Sequence, residues 1–187
     1  AMALMLASAA LSAAPAAPPA PAAPPLLKSV AADVSEAELR KSLTALVGFG
    51  TRHSLSDTTS PTRGIGAARR WTAGRFTEFS KACGGCLSVA TPAETFTGRR
   101  IPTSVEIVDV LAVQRGTGDP NRVIIMSAHI DSRVSDPLNA TSDAPGANDD
   151  GSGTAAVIEA ARVLSRHKFD ATIVYAVLSG EEQGLLG

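Results

Sequence analysis

Three short polar clusters interrupt the apolar second half of this chain. Ala128-His129-Ile130-Asp131-Ser132 comes first, Asn148-Asp149-Asp150-Gly151-Ser152-Gly153 second, and Gly180-Glu181-Glu182-Gln183-Gly184-Leu185 third. His129 and Asp131 are two residues apart, and on an extended backbone such residues share a face. A carboxylate so placed can hold one imidazole N–H and leave the other ring nitrogen for a metal. The same pair could also be a solvated histidine at a strand end. Asp149 precedes two glycines and an apolar run with helical spacing. A helix start offers unpaired N–H groups and a field that favours an anion, so Asp149 could cap the helix, ligate a cation, or do both. The glycines permit a closer backbone approach than a cap requires. Glu181 and Glu182 repel each other unless a cation lies nearby. One could bind a metal while the other, facing water, acts as general base; alternatively, they are the acidic first turn of a helix. Taken together, one histidine and several carboxylates form an N/O donor set suited to Zn²⁺, with Mn²⁺ or Co²⁺ also possible.

The elements around these clusters should bring them together. Arg122 to His129, with Val-Ile-Ile-Met at its centre, is a short apolar run bounded by turn signals, which predicts a buried central strand ending at His129. Ala171 to Leu178 predicts a second strand, ending just before Glu181. A helix over Thr154 to Arg166 lies between them. Further helices are expected at Ser35 to Val47, behind a capping signal, and from about Ile65 to Ala82. Leu87 to Phe96 and Val105 to Gln114 read as strands, and Thr51 to Gly66 as a polar loop. Strands alternating with helices imply an α/β fold: a three-layer sandwich with a central, mostly parallel or mixed sheet flanked by helices. In such sheets ligands collect beyond the carboxyl ends of the strands, where all three clusters fall.

Composition narrows the class. The 187 residues carry 17 basic and 18 acidic side chains, and only 4% are aromatic. That balance suggests neither a nucleic-acid partner nor an anionic membrane surface. Residues 1–25 hold 12 Ala and 6 Pro and no charge, which reads as a secretory signal peptide or an Ala/Pro-rich linker. Residues 26–187 would then be the N-terminal part of the folded domain, in a secreted or periplasmic protein. Cys83 and Cys86 enclose two glycines, and in an exported chain they are expected to form a local disulfide. Free thiols are the alternative.

The order A-H-x-D-S, N-D-D-G-S-G and G-E-E-x-G-L resembles the twenty-eighth metallopeptidase family. That family holds the secreted di-zinc aminopeptidases and the glutamate carboxypeptidase II group. The resemblance runs from about Leu39 to Gly187, with specific motifs only from His129 onward. It implies two Zn²⁺ ions in the complete protein. By the same resemblance, His129 is a ligand of one ion, Glu182 a ligand of the other, and Asp149 a bridge between them. Asp131 orients His129, and Glu181 is the general base. The family also uses an Asp and a His further downstream, to which neither His53 nor His167 corresponds, so these 187 residues are expected to be inactive alone. The function implied is a zinc-dependent exopeptidase that removes N-terminal residues from peptide substrates. The alternatives are a carboxypeptidase or dipeptidase of the same family, a glutaminyl cyclase-like acyltransferase, and a receptor-type ectodomain without metals.

Overall fold

The computed structural model describes residues 24–187; the signal-peptide or linker reading therefore falls almost wholly outside the described residues. Helices α1 (Pro25–Ala32), α2 (Glu36–Gly48) and α3 (Gly64–Ala82) come first, followed by strands β1 (Leu87–Ala90), β2 (Ala93–Gly98), β3 (Ile101–Val108), β4 (Val110–Gln114) and β5 (Asp119–His129). A wide turn over Ala147–Gly151 leads into α4 (Ser152–Leu164), and β6 (Ala171–Leu178) ends the regular structure. The α/β class and the mixed sheet are as expected. The main sheet has the order β1-β4-β6-β5. Its β1/β4 and β4/β6 pairs are antiparallel, and β6/β5 is parallel.

Local chemistry sets the helix ends. Ser35 caps α2 by accepting from the Glu38 N–H at 3.3 Å, with Glu36 and Glu38 in the first turn, where acids suit the positive end of the helix. In α3, Ile65, Ala68, Phe76 and Phe79 are buried at helical spacing. This helix packs on β1 and β4, while α4 packs on β5 and β6 and α2 lies against α4. The core they share includes Leu46, Val110, Ile130, Ile158, Tyr175 and Val177. Cys83 and Cys86 form a disulfide between the end of α3 and β1.

Four expectations change. The apolar run before His129 is an edge strand of this sheet, with Val123, Ile124 and Ile125 each at least half exposed. Its apolar composition is that of a strand with a neighbour on either side, but only β6 pairs with it among the described residues. Leu87 to Gln114 forms four strands, because β2 and β3 leave the main sheet and pair as a separate hairpin. The Pro-led helix α1 was not anticipated; it buries no residue. Finally, Thr51, Arg52, His53, Ser54 and Ser56, read as polar loop, are almost wholly buried. Arg52, His53 and Ser54 find partners far away in sequence, and Thr51 and Ser56 find theirs close by, which offsets the cost of burial.

Candidate active site

Strand register brings the clusters together. In the parallel β5/β6 pair His129 lies opposite Leu178, and the Ile130 N–H donates to the Leu178 carbonyl at 2.8 Å. Both strands therefore end at the same sheet edge. Glu181 follows Leu178 by three residues, and α4 starts beside that edge. Thr154 Oγ1 donates to the His129 carbonyl at 2.9 Å. Asp150 accepts from the His129 N–H at 3.2 Å and from the Gly153 N–H at 3.0 Å, clamping strand end to helix start. A Cβ on Gly153 would overlap the Asp150 carboxylate, so glycine is required by that clamp. The bond to the helix start that the sequence suggested for Asp149 is thus made by Asp150.

Asp149 instead lies 3.1 Å from His129 Nε2, with Glu181 Oε2 at 3.9 Å from the same nitrogen. The other ring nitrogen, Nδ1, is 3.2 Å from the Asp131 carbonyl and 3.6 Å from Asp131 Oδ1. Asp131 is fully buried. It accepts from Ser54 Oγ at 2.9 Å and from the Glu181 and Glu182 N–H groups at 3.3 and 3.1 Å. Burial alone would push its carboxyl group up, but bonds from His129, Ser54 and the Glu182 N–H hold it below the usual range. Conversely, contact with Asp131, aided by the fields of Glu181 and Asp150, overcomes burial and raises His129 to about 9.

Glu182 is placed differently from Glu181. Its Oε2 pairs with Arg133 Nε at 2.6 Å, so Glu181 is the member of the pair that faces His129. His129, Asp131, Asp149 and Glu181 thus meet at one edge, while Glu182, held to the same centre through its N–H, turns its carboxylate to an arginine.

Residues without a motif hold this arrangement in place. The buried Arg52 donates from Nε to the Ile130 carbonyl (2.6 Å), from Nη1 to those of Leu46 (3.0 Å) and Pro145 (2.7 Å), and from Nη2 to that of Gly146 (3.0 Å). It joins α2, the chain after β5 and the loop before Asp149. The buried His53 accepts the Leu55 N–H at Nδ1 (3.1 Å), which leaves Nε2 to donate to the Pro137 carbonyl (3.1 Å). The Gln183 side chain lies 3.0 Å from that Nε2. No periodicity or spacing marks these residues; only the run of polar types from Thr51 to Ser56 could have drawn attention to them.

The donor types suit a divalent cation. An imidazole nitrogen and a carboxylate oxygen face each other across 3.1 Å, held by a proton that a metal ion would replace. Three further carboxylates, on Asp131, Asp150 and Glu181, contribute to the field that raises His129. Among the described residues, however, no three His, Cys, Asp or Glu side chains converge as a ready ligand set. The pair His129 and Asp149 fits one ion. For a second, Glu182 would have to leave Arg133.

A 162-residue stretch, 86% of the chain, is 47% identical to a "Probable zinc metalloprotease" of Pyrenophora teres f. teres and covers 34% of that protein. The chain thus spans about a third of the length of the curated relatives it matches. In fold it resembles the LapA aminopeptidase of Legionella pneumophila (TM-score 0.64, 24% identity, 86% of this chain and 39% of that one). It also resembles a glutaminyl cyclase of Bacteroides thetaiotaomicron (TM-score 0.61, 20% identity, 82% and 51%). The sequence model of peptidase family M28 matches residues 109–187, the stretch that carries all three clusters, and it is this family that the chain resembles.

Proposed function

We propose that the protein of which this chain forms part is a zinc-dependent exopeptidase that removes N-terminal residues from peptides, exported to an oxidising compartment. The observation that carries this is the setting of His129, with buried Asp131 on one ring nitrogen and Asp149 and Glu181 on the other. Asp131 holds the proton on Nδ1, so Nε2 is the nitrogen free for a metal. His129 and Asp149 would hold the ion, with Glu182 and Asp149 as donors to a second. Bound zinc would polarise the scissile carbonyl and lower the pKa of a coordinated water. Glu181, partly exposed and anchored through its N–H to Asp131, would take the proton from that water and return it to the leaving amine. The relatives named as zinc metalloproteases support the metal and the reaction class, and the disulfide supports export.

The second reading is acyl transfer at a single zinc, as in a glutaminyl cyclase. It is favoured by the Arg133–Glu182 pair, which among the described residues leaves His129 and Asp149 as the adjoining nitrogen and oxygen donors.

The test is metal content and aminoacyl-substrate hydrolysis in the full-length protein and its variants. Glu181→Gln should lower turnover by roughly 10²–10⁴-fold with zinc retained, and His129→Ala should lose zinc. Two ions per chain support the peptidase reading. One ion, with cyclisation of an N-terminal glutamine, supports the second. Loss of zinc in Glu181→Gln would make Glu181 a ligand and refute its role as base.

A further inference from the structure

A cavity of about 400 Å³ lies between the start of α3, the chain from Ser54 to Thr58, and β3. None of His129, Asp149 and Glu181 lines it. Its wall includes Arg69, a side chain only 7% exposed. Of the Arg69 nitrogens, Nε donates to Ser179 Oγ at 3.3 Å, while Nη2 is buried with no partner. Asp131, Asp109 and Glu106 attract the guanidinium only through space. Burial lowers its pKa to about 10, so it stays charged at neutral pH. Neighbouring Arg70 differs: its donors are taken by the Thr58 and Ser60 carbonyls.

A buried guanidinium with so few bonds runs against the rule that buried charges are paired. The rest of the cavity indicates what would pair it. Leu55, Val105 and Val108 supply apolar wall, and Glu106 supplies one exposed negative charge. A carboxylate is the ordinary charge-assisted partner of a guanidinium N–H. Glu106 disfavours a multiply charged anion, and the valines favour a ligand with an apolar body.

We propose that this cavity binds a small monocarboxylate with a short apolar body, its carboxylate on Arg69 and its body along Val105 and Val108. The site is separate from the His129 centre and does not rest on the zinc reading.

The test uses full-length protein stripped of metal, so that no ion can bind the carboxylate, and calorimetry with 4-methylpentanoate. Saturable binding is expected, with 4-methylpentanamide at least about tenfold weaker, since a charge-assisted bond is worth more than a neutral one. Glu106→Gln should tighten binding by removing a like charge, Val105→Trp should block it, and Arg69→Met should abolish it. Equal affinity for acid and amide, inorganic phosphate binding as tightly as the acid, or no saturable binding would overturn the proposal. If Arg69→Met does not fold, the other two variants decide: unchanged affinity in both refutes the site.

Discussion

On one side of the His129 ring, Asp131 is fully buried and takes hydrogen bonds from Ser54 and from the N–H groups of Glu181 and Glu182. On the other side, the Asp149 side chain is 77% exposed and that of Glu181 39% exposed. The contrast separates two tasks. A group that fixes a ring must not move, so it is buried and its polar atoms are satisfied within the fold. A group that meets an ion, water or substrate must keep capacity unspent, so it stays open and poorly bonded. The buried flank belongs to the folding energetics of the chain, and the open flank belongs to its chemistry.

The largest test of that division is on the buried side. Arg52→Met removes the donors to four carbonyls and strands several of them without water. It should cost about 3–5 kcal/mol of stability, read from the denaturant midpoint. A loss below about 1 kcal/mol would show that the buried flank is not held as described.

A smaller effect is expected from His53, whose pKa burial holds below its ordinary 6.5. Because the folded value is the lower one, the folded state binds fewer protons. The stability contributed is fully present above pH 6.5 and is lost as pH falls through the lowered folded value. Thermal melts across mildly acidic pH should show this loss, and His53→Gln should flatten it. Unchanged pH dependence in that variant would assign the loss to other groups.

The smallest change in stability is predicted on the open side. Asp149→Asn should alter stability by no more than about 0.5 kcal/mol, as for exposed positions generally, yet weaken zinc binding in the full-length protein severely. A large destabilisation with zinc affinity intact would erase the distinction between the flanks.

His129, Asp149 and Glu181 were legible because their chemistry is local: a donor type, a spacing of two, a strand end and a helix start. Glu182 was legible as a residue but not in orientation, since its partner Arg133 lies in the loop beyond β5 and carries no motif. Arg52, His53 and Ser54 looked like surface loop because composition records polarity and not pairing. Their partners are up to 130 positions away, as in His53 and Gln183. The hairpin of β2 and β3 was missed for a similar reason. Alternation marks each strand, but nothing local says which sheet it joins.

By itself the sequence determined the α/β class, the spans of α2, α3, α4 and β6, and the order of the three chemical clusters. Periodicity, capping and donor type act over a few residues and are written in a few residues. Only the tertiary structure decided that β5 pairs with β6 alone among the described residues, that Asp150 bonds the helix start and leaves Asp149 free, and that the polar run after α2 is buried beneath the site. Each of these depends on which groups meet across long stretches of chain, and a polar side chain becomes structural or reactive according to whether that meeting satisfies it.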